Sequence, residues 1–284
     1  MNIKEALSYC FKELSNFNTY KLDASILLKH CCNFSDLDLL VNSDNSLSEQ
    51  QEISYKKAII RRKTNEPIAY ITGEKEFYGL DFKVNEHTLI PRPDTELLVE
   101  KVLEYIDAEK LKNPKILDLG TGSGAIIISI LANVKEATGT AVDLNPEAIK
   151  KASENATLNN VSNRLTFVNS SWFSNVKDTD FDIIVANPPY ITSKMMQELD
   201  RDVKDFEPHL ALEGGIKGFE PYIEIVQNSP TFLKNKGKIF LEIGFDQKKS
   251  VLDLFDSEVW LNKKCFKDLG NNDRLIVVDL LKNK

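Results

Sequence analysis

The chain has 284 residues and a mass of 32.2 kDa, enough for one large domain or two ordinary ones. Hydrophobic residues make up 42% and include 15 Phe and 8 Tyr, which excludes a disordered chain because a sizeable core can be buried. With 36 Lys+Arg against 43 Asp+Glu the net charge is −7, which argues against a protein whose main task is gripping phosphate backbones.

Lys4, Glu5, Lys12 and Glu13 interrupt any signal-peptide core. The longest apolar stretch, 125–134, is too short to span a membrane, so no membrane association is expected. The four cysteines, Cys10, Cys31, Cys32 and Cys265, include no C-x-x-C spacing and form no disulfide framework. A reduced, cytoplasmic protein is expected.

Residues 1–73 read as a small helical bundle. No glycine precedes Gly73, and Ile26, Leu27 and Leu28 fall in a stretch without strand alternation. Ser46-Leu47-Ser48-Glu49 has the Ser-x-x-Glu form of a capping box and predicts a helix from there to about Lys63. This segment is neutral, with nine Lys+Arg and nine Asp+Glu, so the whole negative balance lies downstream. Lys56, Lys57, Arg61, Arg62 and Lys63 cluster five of its cations, either as a solvated helix face or as a docking patch for a partner. His30-Cys31-Cys32 is no metal motif, because three consecutive helical residues point in different directions.

In 74–92, Glu76-Phe77-Tyr78-Gly79-Leu80-Asp81-Phe82-Lys83-Val84 predicts two short strands around a glycine turn, and Pro91-Arg92-Pro93 a stiff connector. Asp94 or Thr95 then caps a helix carrying Leu98, Val102, Tyr105 and Ile106 on one face. From Lys115 onward strands alternate with helices, the pattern of a doubly wound parallel sheet. Strands are expected at 115–119, 138–143, 165–168, 182–186, 238–242, 259–264 and 275–280. The last two are joined by too short a link, around Gly270-Asn271-Asn272, for a crossover and should be antiparallel.

Three motifs carry chemistry. Asp118-Leu119-Gly120-Thr121-Gly122-Ser123-Gly124 stands directly between a strand and a helix, where glycines allow a sharp turn and close ligand approach. Its G-x-G-x-G spacing differs from the G-x-G-x-x-G of dinucleotide sites. Asp143 ends the next strand, where a carboxylate can accept both hydroxyls of a ribose. Asn187-Pro188-Pro189-Tyr190 follows the apolar strand Ile183-Ile184-Val185-Ala186. The prolines hold the Asn187 carboxamide oxygen and the Pro188 carbonyl as rigid acceptors, a match for the two donors of a planar NH₂ group, and Tyr190 offers a flat face.

These motifs make the chain similar to class-I S-adenosylmethionine methyltransferases that act on amino groups. More narrowly it resembles the protein-(glutamine-N5) methyltransferases of peptide chain release factors, the PrmC/HemK family. The closer likeness is carried by Pro67-Ile68-Ala69-Tyr70-Ile71-Thr72-Gly73-Glu74, Leu89-Ile90-Pro91-Arg92-Pro93-Asp94-Thr95-Glu96, Ser171-Trp172-Phe173, Glu207-Pro208, Ala211-Leu212, Gly214-Gly215 and Asn272-Asp273-Arg274, besides the motifs above. It runs from about Pro67 to the C-terminus.

The resemblance implies a seven-stranded, mostly parallel, Rossmann-like α/β methyltransferase sheet with an antiparallel last strand, behind an N-terminal helical bundle and a connecting β-hairpin. The implied divisions are a substrate-binding domain (1–73), a hairpin linker (74–92) and a methyltransferase domain (93–284). It further implies that Gly120, Thr121, Gly122, Ser123, Gly124, Asp143, Trp172 and Asn187 hold S-adenosyl-L-methionine, with S-adenosyl-L-homocysteine as product, no metal, and Trp172 at the adenine. Asn187, Pro188, Pro189 and Tyr190 would grip a glutamine side chain, with Asn187, Pro188 and Tyr190 catalytic. The partner would be the Gly-Gly-Gln loop of release factors, met by a monomer with no stable nucleic-acid binding. One departure is Ser171, where the family often has an acid before the Trp.

The sulfonium methyl is already electrophilic, while an amide nitrogen is a poor nucleophile that acceptors on its N–H groups can activate and aim. His30, His87 and His209 lie outside both motifs, so no histidine base is expected. The alternatives are a methyltransferase for an exocyclic amino group of adenine or guanine or for another protein glutamine, a nucleotide-binding or dehydrogenase module, and a non-catalytic interaction protein. The first needs a flipped base and a basic channel, against which the negative downstream charge weighs.

Overall fold

In the computed structural model, which describes residues 1–281, the chain divides into two compact units. One contains residues 1–74 with 200–206, the other residues 75–199 with the chain from 207 onward. Residues 282–284 of the expected methyltransferase domain lie outside the described residues.

The first unit holds α1 (Ile3–Glu13), α2 (Tyr20–Cys32), α3 (Asp36–Val41), α4 (Glu49–Lys63) and α5 (Ile68–Thr72). Ile3, Ala6 and Cys10 of α1 meet Ala24, Leu27 and Leu28 of α2 and Tyr55 and Ile59 of α4 in its core. The three- and four-residue spacings are those of single helix faces. The start of α4 corrects the expected cap. Ser48, not Ser46, is the cap: its hydroxyl accepts from Gln51 N at 3.3 Å while Gln51 Oε1 accepts from Ser48 N at 2.9 Å. Ser46 is drawn instead into an extended bridge with Asn2.

The basic cluster on α4 is largely neutralised. Lys56 pairs with Glu52 and Lys63 with Glu13, each at 2.6 Å, Arg61 pairs with Glu66, and buried Arg62 meets Asp23 at 2.8 Å. Lys57 is exposed. His30, Cys31 and Cys32 diverge as expected, from exposed through half-buried to buried.

From Lys75 onward in the second unit, β1 (Glu74–Phe77) and β2 (Leu80–Lys83) form a hairpin whose turn residues Tyr78 and Gly79 both have positive φ, 52° and 72°. That is the mirror-image turn that matches strand twist. Phe77 and Phe82, 1% and 0% exposed, enter the same core as Leu98 and Val99. The helix α6 (Glu96–Ala108) follows a 3₁₀ turn at Pro93–Thr95 and has no side-chain cap. Both expected caps are engaged elsewhere: Asp94 with Arg274 at 3.2 Å, and the Thr95 hydroxyl as acceptor from Asn187 Nδ2 at 3.2 Å.

The remaining elements are β3 (Lys115–Leu119), α7 (Ala125–Asn133), β4 (Thr138–Asp143), α8 (Pro146–Leu158), β5 (Leu165–Asn169), β6 (Phe181–Ala186), α9 (Arg201–Lys204, in the first unit), α10 (Glu220–Phe232), β7 (Leu233–Glu242), α11 (Lys248–Leu252), β8 (Trp260–Lys267) and β9 (Asp273–Leu280). The sheet order is β5-β4-β3-β6-β7-β9-β8. Strands β5 through β7 pair in parallel, and β9 runs antiparallel to both β7 and β8. The expected antiparallel closing pair is present.

Strand alternation divides the core between two faces. Ile116, Ile183, Val185, Phe240, Leu275 and Val277 pack with α6, α7 and the hairpin. Leu117, Ile184, Ala186, Ile239, Leu241, Ile276 and Val278 pack on the other face with Tyr222, Ile225 and Val251. Both faces are covered, which is why the middles of these strands are mostly apolar. Among the described residues no helix is long and apolar enough to cross a membrane.

Candidate active site

Register brings the motifs level. Leu119 of β3 pairs with Val142 of β4 and with Ala186 of β6, and Ala186 pairs with Leu241 of β7. The residue after each is Gly120, Asp143, Asn187 and Glu242. Four separate stretches of sequence therefore leave the sheet side by side at its carboxyl edge. Strand order reverses between β3 and β6, where open α/β sheets form their ligand crevice.

The glycine loop turns because Gly120, Gly122 and Gly124 all adopt positive φ, 72°, 55° and 82°. The N–H groups of Gly120 and Thr121 both donate to the Val142 carbonyl, at 2.9 and 2.8 Å. Beneath the loop Asp118 is fully buried and its Oδ2 accepts from the Thr121 hydroxyl at 2.7 Å. Burial pushes the Asp118 carboxyl up to about 7, against the lowering effect of Thr121, and its Oδ1 has no hydrogen-bond partner.

The Asp143 carboxylate spans two turns. Its Oδ2 accepts from Gly122 N and its Oδ1 from Asn145 N, both at 2.8 Å. Burial raises its proton affinity, while these N–H donors lower it. Each oxygen keeps a second lone pair for an incoming hydroxyl.

A cavity of about 270 Å³ opens over this edge. Gly120, Gly122, Asp143, Trp172, Asn187 and Pro189 line it. Thr121, Ser123, Gly124, Pro188 and Tyr190 do not. Thr121 and Ser123 are buried in the loop's support, the Ser123 carbonyl accepting from Asn155 Nδ2 at 2.8 Å. Gly124 starts α7 so tightly that a Cβ there would lie 2.6 Å from Ile128 Cδ1. Pro188 is buried, and Tyr190 is half-buried among the apolar side chains of the second face. The cavity fits an adenosine-bearing ligand: a carboxylate at the end of β4, the Trp172 ring, and open space above Gly122, where a Cβ would meet nothing within 4 Å.

The segment after Asn187 is strapped down. Ile191 N donates to the Leu212 carbonyl at 2.9 Å and Gly214 N to the Ile191 carbonyl at 2.8 Å. Gln247 Nε2 ties the Tyr190 and Gly218 carbonyls together, at 3.0 and 2.8 Å. Gly214 is packed so closely that a Cβ would lie 2.5 Å from the Pro189 oxygen. The glycine-rich stretch around 214–218 is thus a packed strap behind the N-P-P-Y segment. Buried Glu207 accepts from Ile90 N at 3.3 Å and pairs with Arg92, tying the Pro-Arg-Pro connector to Pro208 in the cavity wall.

Several lining residues were missed from sequence. His87 lies in the wall, where its carbonyl accepts from Asn145 Nδ2 at 3.4 Å. Leu144 and Asn145 also line it, although Asn145-Pro146-Glu147 signals only a helix start in sequence. Glu242, 2% exposed, carried a signal that was readable: a lone acid in the apolar run Ile239-Phe240-Leu241-Glu242-Ile243. Among the described residues no group of His, Cys, Asp and Glu is gathered to hold a metal.

The methyltransferase small domain matches residues 93–215 and the PrmC N-terminal domain residues 5–73. A release factor glutamine methyltransferase of Buchnera aphidicola subsp. Schizaphis graminum is 39% identical over 276 residues, covering 97% of this chain and 98% of that protein. A bifunctional methyltransferase of Rickettsia typhi is 38% identical over 295 residues, covering 98% of this chain and 57% of that protein. The chain thus spans a little over half the length of that relative. The crystal structure of a methyltransferase from Pyrococcus furiosus shares the fold, with a TM-score of 0.51 at 21% identity over 80% of this chain and 98% of that one.

Proposed function

The chain belongs to the release factor glutamine methyltransferase family, and we propose that it methylates the side-chain amide nitrogen of the glutamine in the Gly-Gly-Gln motif of translation release factors. The observation that carries this reading is the Asn187 carboxamide, which lines the cavity level with Asp143 while its nitrogen donates backward to Thr95. An oxygen is thereby left to accept from an NH₂ group.

S-adenosylmethionine supplies an electrophilic methyl on a sulfonium sulfur when bound. Asp143 would accept the ribose hydroxyls, Trp172 pack on the adenine, and the backbone of the 120–124 loop face the amino-acid end, with Thr121, Ser123 and Gly124 holding the loop's shape. Asn187 Oδ1 and the Pro188 carbonyl would accept the two amide hydrogens of the substrate, raising electron density on its nitrogen and fixing an in-line approach. Tyr190 would pack its ring along the substrate amide. Per turnover the nitrogen gains one N–C bond and gives up one proton, the S–C bond breaks, and S-adenosylhomocysteine is released.

The helical unit, 1–73, would hold the protein substrate. The pairing of four of the five α4 cations supports a protein partner over an RNA backbone. In this reading the protein works in the cytoplasm as a monomer and without a metal. The test is incubation with S-adenosylmethionine and, separately, release factor, RNA and DNA, followed by mass spectrometry. One added methyl on the Gly-Gly-Gln peptide is expected, and it should fall about 10²-fold in Asn187→Ala. A methyl found only on nucleic acid, or none, overturns the reading.

A further inference from the structure

We propose that Thr95 and Glu242 are positioning residues that decide which end of the Asn187 carboxamide faces the cavity. An amide side chain has a donor end and an acceptor end of nearly the same shape, so packing alone does not choose between them. Here the choice is made from behind. Asn187 Nδ2 donates to Thr95 Oγ1 at 3.2 Å. Glu242 leaves β7 in register with Asn187, because Ala186 pairs with Leu241, and both Thr95 and Asn187 set donor groups against its carboxyl. Its Oε2 is buried and without a partner.

In the opposite orientation Asn187 Oδ1 would face the Glu242 carboxyl, acceptor against acceptor once that group is ionised, in a site closed to water. The observed orientation leaves Oδ1 for the cavity that Asn187 lines. Thr95 gives up a helix-capping role to do this: it precedes the first turn of α6, yet its hydroxyl caps no backbone N–H. Glu242 is itself fixed through its strand, its carbonyl accepting from the Tyr222 hydroxyl at 2.8 Å. The catalytic use of the freed oxygen rests on the methyl-transfer reading above; the orientation does not.

The test uses the full chain. Thr95→Val and Glu242→Met remove the acceptors with little change of shape, and Glu242→Gln keeps one. For the first two, kcat should fall about tenfold or more while S-adenosylmethionine affinity stays within about threefold, and Thr95→Ser should restore most of the loss. In an Asn187→Ala background the same substitutions should cost less than about twofold, since nothing remains to orient. Full turnover in folded single variants, or losses that simply add to that of Asn187→Ala, would overturn the proposal. If the parent protein fails to methylate release factor, the functional reading fails instead. The orientation is then read by NMR from solvent exchange of the Asn187 side-chain amide protons. That exchange should speed up about tenfold or more in Thr95→Val and in Glu242→Met and less in Glu242→Gln, and an unchanged rate in the first two overturns the proposal.

Discussion

The carboxylate of Asp143 accepts the backbone N–H of Gly122 at 2.8 Å, joining the turn after β3 to the turn after β4. Its other oxygen accepts from Asn145 N at 2.8 Å, so both ends of the carboxylate serve as acceptors. Asp143→Asn would turn an NH₂ group toward one of these N–H donors. S-adenosylmethionine affinity should fall about tenfold or more, read by calorimetric titration. Wild-type affinity would show that this carboxylate neither holds the loop nor meets the ligand.

Gly214 tests the strap behind the N-P-P-Y segment. Its φ lies outside the left-handed region, so alanine is tolerated by the backbone and any effect is steric. A Cβ there would sit 2.5 Å from the Pro189 oxygen and 2.8 Å from Tyr190 Cα. Gly214→Ala should lower methyl transfer about tenfold or more through displaced acceptors, with cofactor affinity nearly unchanged. Unimpaired single-turnover rates would mean that the segment tolerates the shift.

Ser171 lies in the cavity wall beside Trp172, exposed, with its carbonyl accepting from Ser174 N at 3.0 Å. An aspartate there could accept a charge-assisted bond from an adenine amino group. Ser171→Asp should tighten cofactor binding by up to about 1 kcal/mol, roughly fivefold. Identical titrations of Ser171→Asp, Ser171→Ala and the parent would leave adenine to Trp172 and the main chain.

Burial holds the carboxyls of Asp118 and Glu242 up to about 7, far above their ordinary 3.8 and 4.5. A raised carboxyl favours the folded state while protonated. The contribution is complete below the unfolded value and is lost as pH rises toward and through about 7. Asp118→Asn removes one of these slopes. Between about pH 5 and pH 8 the parent should lose on the order of 1 kcal/mol or more relative to this variant, seen as diverging melting temperatures. Parallel melting curves across that range would show that Asp118 is ionised throughout.

Much of this molecule is written in local pattern. The glycines of the 120–124 loop, the acid closing β4 and the prolines after β6 act through backbone conformation and strand position, which neighbouring residues dictate. The apolar runs of β6 and β7 announce a sheet covered on both faces, and the short link before β9 announces its reversal. The α4 cap was misplaced by two residues because two serines compete locally, and a bridge from Asn2 to Ser46 decides between them.

What sequence alone determined was the kind of site: a glycine loop, a carboxylate and a rigid pair of acceptors at strand ends, each readable within a few residues. What only the tertiary structure decided was their alignment and support. Strand register puts Gly120, Asp143, Asn187 and Glu242 in one row, and register is a property of pairs of strands. Thr95 reads in sequence as a helix cap and Glu242 as a lone acid in an apolar strand. Their joint hold on Asn187 arises from contacts spanning 92 and 55 residues of chain, a separation that no local propensity encodes and that closes only when the sheet forms.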